Sequence, residues 1–214
     1  MARTKGARNE GFEERRTALI AALRARLRAN GPPPSVRELA IAADVSVPTL
    51  KHYFASEGLT DREAIVRAVM EDELTSGAEA NGPLEVVATP SGPFAQSVRD
   101  LLQHADEGFE YGGLTDSHAV GLAEGGRSTT LGADYLRLAL DPTIEAFADR
   151  LRAHQAKGEM RSDADARVAA VQLLSPLVIA RLHQDRFGGR DANPIDLTAM
   201  LDQQAEAFVR GYAV

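Results

Sequence analysis

Three consecutive prolines at Pro32, Pro33 and Pro34, with a further one at Pro48, leave the stretch from Ser35 to Phe54 room for only two short helices. A proline ends any helix that runs into it, yet it is harmless in a first turn, where its missing N–H removes no helix bond. Val36, Leu39, Ala40 and Ala43 recur at i, i+3, i+4 and i+7, so a helix over Ser35 to Asp44 carries one apolar stripe, with Arg37, Glu38 and Asp44 turned away. Ser35 can cap it, and Glu38 three residues on completes a capping box. Ser46 is a second cap, with Pro48 in the first turn of a helix from Val47 to about Phe54. Helices joined by so short a turn must cross steeply, which demands a small residue at the contact and apolar residues around it. Ala40 supplies the first, Val45 and Leu50 the second. The outcome is a helix-turn-helix whose second helix presents Val47, Pro48, Thr49, Lys51 and His52 to a DNA major groove. None of these is Arg, Asn or Gln, the bidentate base readers.

Charge is distributed to match. The whole chain carries a net −7, which taken alone argues against a nucleic-acid partner. Residues 1–54 nevertheless hold ten Lys and Arg against five Asp and Glu, a local +5, while residues 55–214 hold 14 basic and 26 acidic residues, a local −12. A basic end on an acidic body confines DNA contact to that end and repels the body from phosphate. The absence of cysteine excludes disulfides, thiolate nucleophiles and Cys-ligated zinc. No apolar run approaches the ~20 residues that span a bilayer, and the opening MARTKGARNEGFEERR has no apolar leader core, so no membrane partner and a cytoplasmic location are expected.

Residues 1 to about 11, with Arg3, Lys5 and Arg8 and nothing apolar to pack, predict a disordered basic arm. Phe12 to Asn30 reads as a helix with Ala18, Leu19, Ala22, Leu23 and Leu27 on one face, closed by the Asn30-Gly31 C-cap signal. Beyond Phe54, Thr60 or Asp61 caps a fourth helix through Ala64, Ile65, Ala68, Val69 and Leu74. The stretch 76–93 is rich in Gly, Pro, Ser and Ala and predicts a linker, with Leu84, Val86 and Val87 as an apolar patch able to dock on the body.

The arrangement Ser35-Val36-Arg37-Glu38-Leu39-Ala40, then Val45-Ser46-Val47-Pro48-Thr49-Leu50, then His52-Tyr53-Phe54, resembles the DNA-binding domain of the TetR family of one-component transcriptional regulators, in register over roughly residues 12–70. It departs from the family pattern at Asp44, where glycine is usual; at Lys51, where an aromatic residue is common; and at Ser56-Glu57-Gly58, where a basic residue is usual. The resemblance implies an all-α chain: an N-terminal arm and helix-turn-helix domain over 1–58, and a C-terminal effector-binding and dimerisation domain over 59–214, with the fourth helix as the lever between them. It implies phosphate contacts from Ser35, Arg37, Lys51 and Tyr53, and a DNA-facing Ser46, Val47, Pro48, Thr49 and His52. The implied function is a ligand-responsive regulator, expected to repress from a palindromic operator.

The C-terminal part predicts further helices over Phe94 to Glu107, over Ser117 to Glu124 within a glycine-broken segment from Gly108 to Gly126, and over Thr129 to Lys157 with a kink or break at Pro142. A helix from about 163 to 187, bent at Pro176, and a last one over about 194–212 carry more apolar surface than one stripe, as an antiparallel pair needs when it meets its two-fold mate in a four-helix interface. Phe94, His104, Phe109, Tyr111, His118, Tyr135, Phe147 and His183 are the aromatic and polar candidates for lining an effector cavity among these helices. Asp116, His118 and His104 lack a metal-ligand spacing, and no nucleophile elbow or phosphate loop is present, so neither metal, cofactor nor enzymatic activity is expected. Two other classes stay open: a small-molecule sensor dimer that has lost DNA binding, and an α-helical enzyme using Gly108 to His118.

Overall fold

The computed structural model describes residues 5–29 and 31–214, without the side chains of 5–10, 74 and 77–81. Over these residues the chain is all-α, with twelve α-helices and no strand beyond one isolated bridge between Met160 and Ala213.

The first three helices and half of the fourth form one core. Helix α1 spans Lys5–Arg28, so the arm expected up to residue 11 is corrected: the backbone is helical from Lys5, where no proline interrupts the register, and Phe12 stacks on Tyr53 with ring centroids 4.6 Å apart. Arg3 and the Asn30 cap lie outside the described residues. Helix α2, Val36–Ala42, starts at Ser35 with the full capping box to Glu38, and α3, Val47–Phe54, starts at Ser46, whose hydroxyl accepts from Thr49 N–H. The turn between them is made by Asp44 at φ +51°, a left-handed conformation that Asp tolerates better than bulkier residues. Leu39 and Leu50, both fully buried, meet Ala40 at the crossing and pack under Leu19, Leu23, Phe54, Ile65 and Val69.

Helix α4, Asp61–Asn81, is capped by Thr60 with its own box to Glu63. One side of it, Ile65, Ala68 and Val69, belongs to the N-terminal core; the neighbouring side, Val66 and Met70, joins Val120, Leu131 and Tyr135 in a small second cluster. The linker expected at 76–93 is thereby corrected, because α4 continues to Asn81 and α5, Leu84–Ala88, follows. Val87 is buried, and the Arg150 guanidinium, itself buried, holds α5 in place by donating to the carbonyls of Val87 at 2.6 Å and Val86 at 2.9 Å.

The largest core belongs to the C-terminal helices: α6 Phe94–Tyr111, α7 Leu114–Gly125, α8 Thr129–Tyr135, α9 Asp141–Ala156, α10 Ala166–Asp185, α11 Gly189–Ala192 and α12 Leu197–Tyr212. The segment from Gly108 to Gly126 is less broken than its glycines predict, for α6 runs through Gly108 to Tyr111 and α7 begins at Leu114. Between α8 and α9 a π-helical turn, Leu136–Leu140, keeps the chain helical past Pro142, with Asp141 N–H bonded to the Leu136 carbonyl five residues back. The wider turn absorbs the proline without a break. Helix α10 likewise runs uninterrupted through Pro176. Among the described residues no helix is long and apolar enough to cross a membrane.

Candidate nucleic-acid interface and ligand cavity

Helices α2 and α3 leave Arg37, Ser46, Pro48, Lys51 and His52 exposed, with Val47, Thr49 and Tyr53 half-buried. Several of their polar groups are already engaged. Ser35 Oγ donates to the Glu38 carboxylate at 2.8 Å, and Ser46 Oγ and Thr49 Oγ1 are 2.8 Å apart. Tyr53 stacks on Phe12, with His52 packed edge-on against both rings, so the recognition helix is braced by the first helix. Lys51 Nζ lies 2.6 Å from the Asp61 carboxylate, both side chains being about half exposed. Arg37 makes no ion pair among the described residues. The basic residues of α1 divide by face: Arg24 is paired with Asp72, and Arg28 with Glu73 at 2.9 Å and Asp116 at 3.4 Å, which leaves them bracing the junction with the body. Burial pushes the Glu73 carboxyl above its ordinary pKa, and the Arg28 charge beside it opposes that rise.

A cavity of about 170 Å³ opens among α5, α6, α7, α9, α10 and the π-helical turn. Of the expected lining set, His104, Phe109, His118, Tyr135 and Phe147 are on its wall, joined by Leu114, Ser117, Leu138, Ala139 and Thr143. The other three are corrected. Phe94 is buried away from it against His154 and Phe208, Tyr111 projects outward with 79% of its surface exposed, and His183 packs at the α10–α11 corner beside Gln184 and Gly189. Helical phase explains the misplacement of Tyr111: it lies two residues beyond Phe109 and so turns about 200° from it.

His118 and Tyr135 are the polar centre of the cavity. His118 Nδ1 and the Tyr135 hydroxyl are 2.5 Å apart, and Phe109 stacks on the imidazole with ring centroids 5.2 Å apart. Burial pushes the His118 imidazole down to about 4 and the Tyr135 phenol up to about 12, so both are neutral near pH 7. The Tyr135 ring lies directly over Gly121 on α7, where a Cβ would overlap it.

The same α7 that carries His118 also carries, on an adjacent face, charges that fasten the body to the helix-turn-helix end. Glu124, 4% exposed, accepts from Arg62 Nη1 and Nη2 at 2.7 Å each, and Arg62 Nε donates to the Pro34 carbonyl at 2.9 Å. That carbonyl immediately precedes the Ser35 cap of α2. The hydrogen bonds it donates to Glu124 hold the Arg62 guanidinium above its ordinary pKa. Arg67 reaches Asp134 at 2.5 Å, Ser128 donates to Glu63 at 2.5 Å, and Asp116 receives both Arg28 and Arg186.

Residues 113–214 match the family model described as the AefR-like transcriptional repressor, C-terminal domain. Residues 113–214 thus carry the domain that this family model describes, and the chain as a whole has the fold of TetR-family transcriptional regulators. That fold is seen in a Mesorhizobium loti protein assigned to the TetR family (19% identity, TM-score 0.69, 99% of this chain and 100% of that one), a TetR-family regulator from Pseudomonas syringae pv. tomato (20%, 0.66, 93% and 97%), and the transcriptional regulator FadR from Bacillus subtilis in complex with stearoyl-CoA (16%, 0.65, 91% and 98%). No curated protein matches the sequence.

The groups at this junction that sequence reasoning missed are its charges: Arg62, Glu124, Arg67, Asp134 and Asp116. Each looks in sequence like one charge on a solvated helix face. Only the buried placement of Glu124 and Asp134 distinguishes them, and their partners are 62 and 67 residues away in the chain.

Proposed function

We propose that the protein is a homodimeric, ligand-responsive transcriptional repressor, acting in the cytoplasm on a palindromic operator. The observation that carries this reading is the continuity of one structure from cavity to recognition helix: His118 and Glu124 share α7, and Glu124, Arg62 and Pro34 form a chain of hydrogen bonds that ends at the cap of α2. An effector in the cavity repositions α7 and α8; α4 follows through Arg62 and Arg67, and the recognition helices of the two subunits change their separation. Two such helices fit successive major grooves only near ~34 Å or a multiple, so a small rotation changes affinity. Arg37, Lys51, Ser35 and Tyr53 contact phosphate, while Ser46, Val47, Pro48, Thr49 and His52 face bases, with thymine methyls read by Val47 or Pro48. Ser35 does so while already serving as a cap. The complex of FadR with stearoyl-CoA supports control by a bound ligand in this fold.

Dimerisation through α10 and α12 is supported by an apolar strip on α10 that the single chain leaves open: Val168, Val171 and Ile179 are 52%, 40% and 64% exposed at helical spacing. The test is selection of genomic fragments by the purified protein, followed by titration of the enriched DNA at two salt concentrations. The expected result is a palindromic site holding two subunits, with affinity falling steeply as salt rises. A protein that enriches no sequence and binds DNA at neither salt concentration is a sensor without an operator, and the reading fails.

A further inference from the structure

We infer that the effector is a small uncharged molecule, about the size of one substituted six-membered ring, that presents a hydrogen-bond acceptor to the His118–Tyr135 pair. This rests on the reading of the central cavity as the effector site.

Size comes first. A closed apolar cavity of about 150 Å³ holds benzene, and pockets for drug-sized ligands begin near ~300 Å³. At about 170 Å³ the cavity accommodates a single ring with one or two substituents. A long-chain acyl thioester would overrun that space and reach beyond the walls, so the ligand seen in FadR is not carried over to this chain. The walls agree with a flat guest: the Phe109 and Phe147 rings, Leu114, Leu138 and Ala139 are apolar surfaces.

Charge comes next. No Lys, Arg, Asp or Glu is among the described residues that line the cavity. A buried ion without a counter-charge is costly enough that an isosteric neutral molecule outcompetes it. The nearby guanidinium of Arg150 is committed to the carbonyls of Val86, Val87 and Ser97, and the acidic residues of α7 are held by arginines on its outer face.

Proton bookkeeping at the polar centre then fixes the complementarity. A neutral imidazole has one N–H and a phenol has one O–H, and one of these two protons lies between Nδ1 and the hydroxyl. If the phenol donates, the imidazole Nε2–H is left over; if the imidazole donates, the phenol O–H is left over. Either tautomer offers exactly one spare donor, so the guest needs a carbonyl, amide, ether or hydroxyl oxygen.

The experiment uses three near-isosteric probes on the full-length protein: benzamide, benzoate and benzamidine, with toluene as the apolar reference, each titrated calorimetrically at pH 7.5. Benzamide should bind at least about tenfold more tightly than either charged probe. Tyr135→Phe alone leaves the imidazole its N–H as the one donor and should retain benzamide, whereas Tyr135→Phe combined with His118→Phe removes both donors and should weaken benzamide about tenfold while still admitting toluene. Leu138→Trp should fill the cavity and abolish both; in a chain with no other tryptophan, its fluorescence also reports whether the variant is folded. Binding of benzoate or benzamidine as tight as benzamide overturns the inference, as does a folded wild type that takes up none of the four at millimolar concentration. Operator binding is measured separately without probe. A chain that binds its operator but no probe refutes this ligand class alone; one that takes benzamide but no DNA supports the ligand class and refutes the regulator.

Discussion

The pair Arg62–Glu124 should be worth more from one side than from the other. Glu124 is 4% exposed, while the Arg62 side chain keeps 23% of its surface in water. Arg62→Ala strands a carboxylate that cannot reach solvent and also removes the hydrogen bond to the Pro34 carbonyl. Breaking a buried pair from one side costs about 3–5 kcal/mol. Glu124→Ala strands a guanidinium that can turn to water and still holds Pro34, so about 2 kcal/mol is expected. The double variant leaves no unpaired charge and should cost less than the two singles together, with a coupling energy of about 2 kcal/mol. At about 2–4 °C per kcal/mol for a chain of this size, Arg62→Ala should melt about 10 °C below wild type and Glu124→Ala about 6 °C below. The assay is thermal and urea unfolding of all four proteins at one fixed concentration, since the proposed dimer would make the midpoint concentration-dependent. Operator affinity, measured in parallel, should fall more for Arg62→Ala, which alone frees the backbone before α2. Additive losses, or a costlier Glu124→Ala, would refute the claim that the buried carboxylate is the dependent partner.

Lys51→Ala should weaken binding to operator and random DNA alike and lower the salt slope by about one, whereas Asp61→Asn, which releases Lys51 and removes a charge facing phosphate, should tighten both; gel-shift titration over a salt series reads each. Gly121→Ala forces the Tyr135 ring off α7 and should cost about 1–3 kcal/mol in urea unfolding, with loss of probe binding in the cavity. The pH dependence follows from His118, held at about 4 when folded against an ordinary 6.5. Its folded-state value is depressed, so the unfolded chain takes up the proton first. The stability it contributes is complete above pH 6.5 and is lost as pH falls toward 4, by about 3 kcal/mol per chain. His118→Gln should flatten the unfolding curve between those two pH values, and an unaltered slope would locate the effect elsewhere.

The helix-turn-helix was legible because its signals are local. Caps, prolines and an i, i+3, i+4, i+7 stripe act within a few residues, and Ser35, Ser46 and Thr60 cap in the structure as their spacing predicts. Asp44 takes the left-handed turn that its position demands. The C-terminal part was legible as helices but less so in their limits, since glycine was weighed as a breaker at Gly108, where tertiary packing keeps α6 helical and the small residue lets the cavity approach the backbone. The lining set divides for a similar reason. Aromatic identity says that a side chain seeks cover, and which cover it finds depends on helix phase and on neighbours far along the chain: Phe109 and His118 meet in the cavity, whereas Phe94 meets Phe208 on α12.

The junction between the two large cores is built from little apolar surface and many charges, and this suits it to rearrangement. Val66, Met70, Val120, Leu131 and Tyr135 form the only buried apolar cluster there among the described residues, ringed by Arg62–Glu124, Arg67–Asp134 and Arg28–Asp116. Ion pairs fix geometry while contributing modest net stability, so the joint can adopt a second arrangement without exposing a large apolar area. Tyr135 belongs to both systems: its ring packs in the junction cluster, and its hydroxyl holds His118 in the cavity. A guest that competes for that hydroxyl therefore pulls on a residue that touches α4. Tyr135→Phe removes the handle and keeps the ring, so toluene should still enter the cavity of that variant while the response of operator affinity to benzamide disappears. If the benzamide response survived in Tyr135→Phe, the signal would have to travel through α7 alone, by way of Glu124 and Arg62.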